Sequence, residues 1–150
     1  MVDSAMFDPV NAASGSPYQP ANYTGGSVQG ANANAAALQA ALTVMTNLYI
    51  NPSTSLYQQY VGQTGSSYFS SSVLTAHPGK SGDVVGPTTT QMASVTAEVN
   101  SVAAERSALG SGPSITAAVT LGTAAANAAI AVNNASGSQA AMLVTRPSIW

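Results

Sequence analysis

Residues 114–135 read SITAAVTLGTAAANAAIAVNNA. Alanine, the strongest helix former, recurs through the stretch, and no proline interrupts it. Ile115, Val119, Ala126 and Ile130 fall at helical spacing and make one seam. Ala118, Gly122 and Ala126 repeat at every fourth position, a pattern that lets a second backbone approach closely. Ser114 is the expected cap, and Asn133-Asn134 with Gly137 mark the expected end.

Two further helices follow from the same reasoning. Residues 88–109 sit after Pro87 and before Gly110 and Gly112-Pro113. Within them Met92, Val95, Val99, Val102 and Leu109 keep a heptad spacing, with Arg106 at one apolar position, so this stripe wants a partner helix. Residues 31–50 carry the Ala35–Ala37 run and an apolar stripe of Leu38, Ala41, Leu42, Met45 and Tyr49. Asn32 or Asn34 can cap that helix, and Asn51-Pro52 should end it, because the residue before proline avoids the helical region.

The rest of the chain has no regular period. Residues 1–30 are punctuated by Pro9, Pro17, Pro20 and several glycines, which predicts an extended arm. Phe7, Val10, Tyr18 and Tyr23 would anchor that arm on a neighbour. Residues 52–86 form a Ser/Gly/Tyr-rich middle, with a short helix near 53–61 and a loop over 77–86. The expected fold is mainly α: a small bundle of about three helices (31–50, 88–109, 114–135) in one domain over 31–150, preceded by the arm over 1–30. Trp150 is expected to dock as an anchor.

Charge sets the limits on function. Only 5% of residues are Asp, Glu, Lys or Arg, against about 25% in an ordinary soluble domain. No formal charge occurs over residues 9–79 or 107–145. The surface must therefore be built from Ser, Thr, Asn, Gln, Gly and Ala, or be covered by other subunits. Lys80, Arg106 and Arg146 are the only basic side chains besides His77, so nucleic acid is excluded as a partner. Hydrophobic residues reach 45%, but with two Phe and one Trp the core must be thin. Burial against other subunits would supply what is missing. Residues 88–109 hold Glu98, Glu105 and Arg106 and should face solvent, while the uncharged first half should be the most covered.

No catalytic pattern competes with this reading. His77 has no second histidine, and the chain has no cysteine, so neither a metal cluster nor a disulfide can form from them. A triad needs nucleophile, base and orienter together, and His77 with Asp83 is no such pattern. Gly79-Lys80-Ser81 resembles the end of a phosphate-binding loop, but Leu74 stands where that motif needs glycine. Glu98 and Glu105 read as a solvated helix face. Asn22-Tyr23-Thr24 and Asn134-Ala135-Ser136 match the glycosylation pattern by chance in so Asn/Ser-rich a chain. The N-terminal residues lack the apolar run of a Sec signal peptide. Residues 115–134 hold many Thr and Asn and lack basic flanks, so no membrane span is expected there.

These features imply a non-enzymatic structural subunit of a large self-assembling particle. A virion or phage component is the first expectation: capsid cement, decoration or minor capsid protein, docking by protein contacts alone. An extracellular filament or surface-layer subunit is the alternative, and a membrane-associated helical protein the third. No cofactor is expected. The assembly contacts expected are Phe7, Val10, Tyr18, Tyr23, Met92, Val95, Val99, Val102, Ile115, Val119, Ile130 and Trp150.

Overall fold

The computed structural model describes residues 1–51, 53–54, 57 and 89–144. Among these the protein is mainly helical, with four α-helices, one π-helical turn and no strand. The helices are α1 (Val2–Ala13), α2 (Ala33–Met45), α3 (Thr89–Ala108) and α4 (Pro113–Val144); the π turn covers Thr46–Ile50. The contacts divide the chain into two compact units. Residues 1–44 join 102–150 in the first, and residues 45–101 make the second. The expected helix near 53–61, the 77–86 loop, His77, Lys80, Asp83 and Trp150 lie outside the described residues, apart from Ser53, Thr54 and Tyr57.

The expectation of an extended arm fails at its first half. Val2–Ala13 is helical despite Pro9 in its interior. Met1 accepts the first backbone bond from Ala5 and a hydroxyl bond from Ser4, each at 3.0 Å. Asp3 sits in the first turn, where the helix dipole favours an anion. Gly15 ends the helix in the left-handed region, with φ of 91°. Its N–H bonds Ala12 O at 3.3 Å, and the Ser16 N–H bonds Asn11 O at 2.7 Å. That pair of bonds is the Schellman closure, for which glycine is the least strained residue. The chain then returns along its own helix rather than projecting. Val28 N–H donates to Ala12 O at 2.9 Å, and Ser27 Oγ donates to the same carbonyl.

Helix α2 begins as its sequence predicts. Asn32 Oδ1 accepts from Ala35 N–H at 2.9 Å, and Asn32 O accepts from Ala36 N–H at 3.0 Å. The Asn32 N–H donates to Ser114 O at 3.2 Å, which ties the start of α2 to the start of α4. At the far end, Asn51 N–H closes the π turn on Thr46 O at 2.9 Å. Asn51 itself is extended, as its place before Pro52 requires. The buried face differs from the predicted stripe. Ala35, Ala36, Ala40, Ala41 and Val44 are buried, whereas Leu38, Leu42 and Met45 are only half-buried.

Helix α4 differs from expectation at both ends. Pro113 rather than Ser114 opens it, and Gly112 O accepts the first bond, from Thr116 N–H at 2.8 Å. Proline suits a first helical position because its missing N–H would have had no partner there. The helix runs through Asn133 and Asn134 to Val144, about 48 Å at 1.5 Å per residue. Asparagine costs less than about 1 kcal/mol relative to alanine in a helix interior, too little to stop an alanine-rich helix.

The core of the first unit is made almost entirely of small side chains. Ala12, Ala35, Ala36, Ala118 and Leu121 form one buried cluster, with Tyr23, Val28, Ala31 and Ile115 packed around it. Along α4, Ala118, Leu121, Gly122, Ala125, Ala126 and Ala129 are buried, so the predicted small-residue repeat faces inward. Gly122 lies so close to α2 that a Cβ there would stand 2.3 Å from Ala36 O, 2.9 Å from Gln39 Cβ and 3.1 Å from Ala40 N. The helices therefore meet backbone to backbone. Each buried alanine methyl contributes only about 0.8 kcal/mol of transfer energy. It costs no side-chain rotamer entropy either. Close backbone approach adds dispersion contacts that larger residues would prevent.

Candidate functional site

The most constructed feature outside the core is a latch between α1 and the loop that follows it. Asp8 and Asn11 lie three residues apart on α1, one turn along the same face. Both are buried, Asp8 to 1% exposure. A carboxylate is expensive to bury unless its oxygens are hydrogen-bonded. Here Asp8 Oδ1 accepts from Ala21 N–H at 2.6 Å, and Oδ2 accepts from Asn22 N–H at 2.7 Å and Tyr23 N–H at 2.8 Å. Three consecutive amides converge on one carboxyl group, so neither oxygen is buried without a hydrogen-bond partner. Asn11 does the same for Tyr18: Nδ2 donates to Tyr18 O at 2.8 Å, and Oδ1 accepts from Tyr18 N–H at 3.0 Å. Both backbone groups of Tyr18 are thus held by one side chain.

This latch borders an open cleft of about 470 Å³. Among the described residues its walls are neutral apart from Asp8, whose two oxygens are already engaged. The Tyr23 ring forms part of one wall and folds over Gly25, where a Cβ would stand 2.2 Å from the phenol oxygen. Tyr18 is different. Its backbone is pinned while its residue surface is 69% exposed.

Apart from Trp150, which lies outside the described residues, the expected contact residues separate into three groups. Phe7, Val10 and Tyr18 are exposed. Tyr23, Met92, Val95, Val102, Ile115, Val119 and Ile130 are half-buried, and Tyr23 and Ile115 pack on the chain's own core. Val99 is buried. The expected heptad is thus not one uniform seam, and Leu109 lies just past the end of α3 and is exposed. Glu98 and Glu105 are exposed, in keeping with a solvated face. Composition reasoning singled out neither Asp8 nor Asn11. The signal available was a charged residue three positions before an asparagine, followed by a Pro/Gly-rich segment needing its amides satisfied.

No group of three or more His, Cys, Asp or Glu is placed to hold a metal among the described residues. Residues Pro113–Ala135 of α4 are long and apolar enough to cross a membrane by length and composition, with mean hydropathy 1.6 and a third of the span buried. The chain matches no protein-family model, and no curated protein or solved structure is significantly similar to it.

Proposed function

We propose that the chain is a non-enzymatic structural subunit of a large self-assembling particle, a virion component of the capsid cement, decoration or minor capsid kind. One observation supports the reading: the described core is mostly alanine, while several larger apolar side chains are left exposed. Ten alanines with Val44, Leu48, Val99 and Leu121 make up the buried apolar set among the described residues, while Phe7, Val10, Leu109 and Val132 remain exposed, Phe7 at 42% and Val132 at 50%. Covering a Val, Leu or Phe fully is worth roughly 1.5–3 kcal/mol each. These residues therefore have the most to gain from a neighbouring subunit. Only 5% of the chain's residues are charged, so little charge need be desolvated when such a surface is covered. Phe7 and Val10 lie one turn apart on α1 and serve as a docking pair. Mass spectrometry of the native complex holding this chain tests the reading. Multiple copies in a defined particle are expected; recovery only as a free monomer would overturn it.

A second reading has its own observation, the apolar stretch Pro113–Ala135. In that reading the chain associates with a bilayer through α4. Flotation with phosphatidylcholine vesicles separates the two. The particle reading expects the protein to stay at the bottom of the gradient.

A further inference from the structure

The cleft beside the latch has a chemistry that the Phe7–Val10 docking pair does not use. We infer that it is a binding site for a neutral carbohydrate, with the Tyr18 ring as its stacking platform. Binding sites combine an apolar surface with a few convergent polar groups that fix orientation, in volumes of roughly 300–1,000 Å³. This cleft holds about 470 Å³ and carries Tyr18 and Tyr23 together with Gln19 and Thr24. Charged ligands are disfavoured. Among the described residues no Lys, Arg or His lines it, and the Asp8 carboxylate is spent on three backbone amides. A sugar fits what remains. Its C–H face packs on an aromatic ring, and its hydroxyls take and give bonds to amide and hydroxyl side chains, as Gln and Thr provide.

Preorganisation is the second support. An exposed aromatic on a loose loop would lose much of its binding energy to ordering. Asn11 reduces that loss at Tyr18 by holding both its N–H and its carbonyl, and Asp8 fixes the backbone of Ala21–Tyr23. The two buried polar residues are thus positioning residues for a ring that itself stays open to solvent. This inference is independent of the particle reading, and either can fail alone.

Saturation-transfer difference NMR on the full chain, with maltotriose, cellotriose and chitotriose as probes, tests it whatever the size of the assembly. At least one trisaccharide should give transfer from the protein at roughly millimolar affinity or tighter. Tyr18→Ala should weaken that binding by about tenfold or more, and Tyr18→Phe should retain it, because stacking uses the ring and not the hydroxyl. Tyr18 is exposed enough that neither variant should disturb the fold, which far-UV circular dichroism checks. Absence of transfer for all three sugars would overturn the inference. So would transfer that Tyr18→Ala leaves unchanged. Loss of self-association in Tyr18→Ala without sugar binding would also overturn it and assign the ring to a protein contact.

Discussion

Substituting Gly122 by alanine should destabilise the protein, although alanine is the better helix former. In an isolated helix the change would gain about 1 kcal/mol. Here the new methyl would stand 2.3 Å from the Ala36 carbonyl oxygen. A comfortable carbon–oxygen contact is about 3.3 Å, so α2 and α4 must separate by about 1 Å. A gap of that size forfeits roughly a quarter to a half of the dispersion energy along the seam. Two of the three atoms met are backbone, Ala36 O and Ala40 N, which cannot swing aside as a long side chain can. Overpacking costs about 1–3 kcal/mol, and the backbone contact places Gly122 in the upper half of that range. The net expectation is a loss of about 1–2 kcal/mol after the propensity gain. For a chain of this length that lowers Tm by roughly 2–8 °C. Thermal and urea unfolding followed by circular dichroism, at one fixed protein concentration, read the effect. Ala124→Gly, at an exposed position of the same helix, is the control and should lose about 1 kcal/mol from propensity alone. A Gly122→Ala protein more stable than the parent would refute the backbone-to-backbone packing.

Other substitutions probe other parts of the account. Asp8→Asn replaces one accepting oxygen with a donor that must face a backbone N–H, so we expect a loss of about 2–3 kcal/mol; limited proteolysis should then cut within residues 16–28. Asn32→Ala removes the α2 cap and should cost about 1 kcal/mol by urea unfolding. Phe7→Ser combined with Val10→Ser should leave the unfolding midpoint within about 0.5 kcal/mol of the parent, as surface changes do. The same pair should reduce self-association in light scattering; an unchanged mass distribution would remove α1 from the docking surface.

Where alanine-rich runs lay between clear breakers, the helices could be read directly. Helices α2, α3 and α4 begin within two residues of where composition and capping placed them, because local propensity and tertiary packing agree there. Helix α1 was hidden by Pro9. A proline inside a helix forfeits one backbone bond, yet the Schellman closure at Gly15 and the buried latch of Asp8 and Asn11 outweigh that loss. Gly15, read as loop punctuation, was the helix stop. The buried face of α2 was misplaced for a different reason. A stripe drawn through Leu38, Leu42 and Met45 assumes that the largest apolar residues face the core. Gly122 on the opposing helix reverses this, since so close an approach admits only Ala36, Ala40 and their neighbours. The small-residue repeat on α4 carried that information, and only its partner was missing. The loop cleft was illegible because it depends on backbone amides brought to Asp8 from thirteen to fifteen residues away.

Sedimentation velocity at low and high salt reads assembly of the chain itself. If neutral apolar surface drives association, the chain should sediment as oligomers or larger assemblies whose size grows with concentration. Raising ionic strength should not dissociate them, because screening acts on charges and this surface has few. A single species at the monomer mass of 14.9 kDa, at every concentration and salt, would contradict the claim.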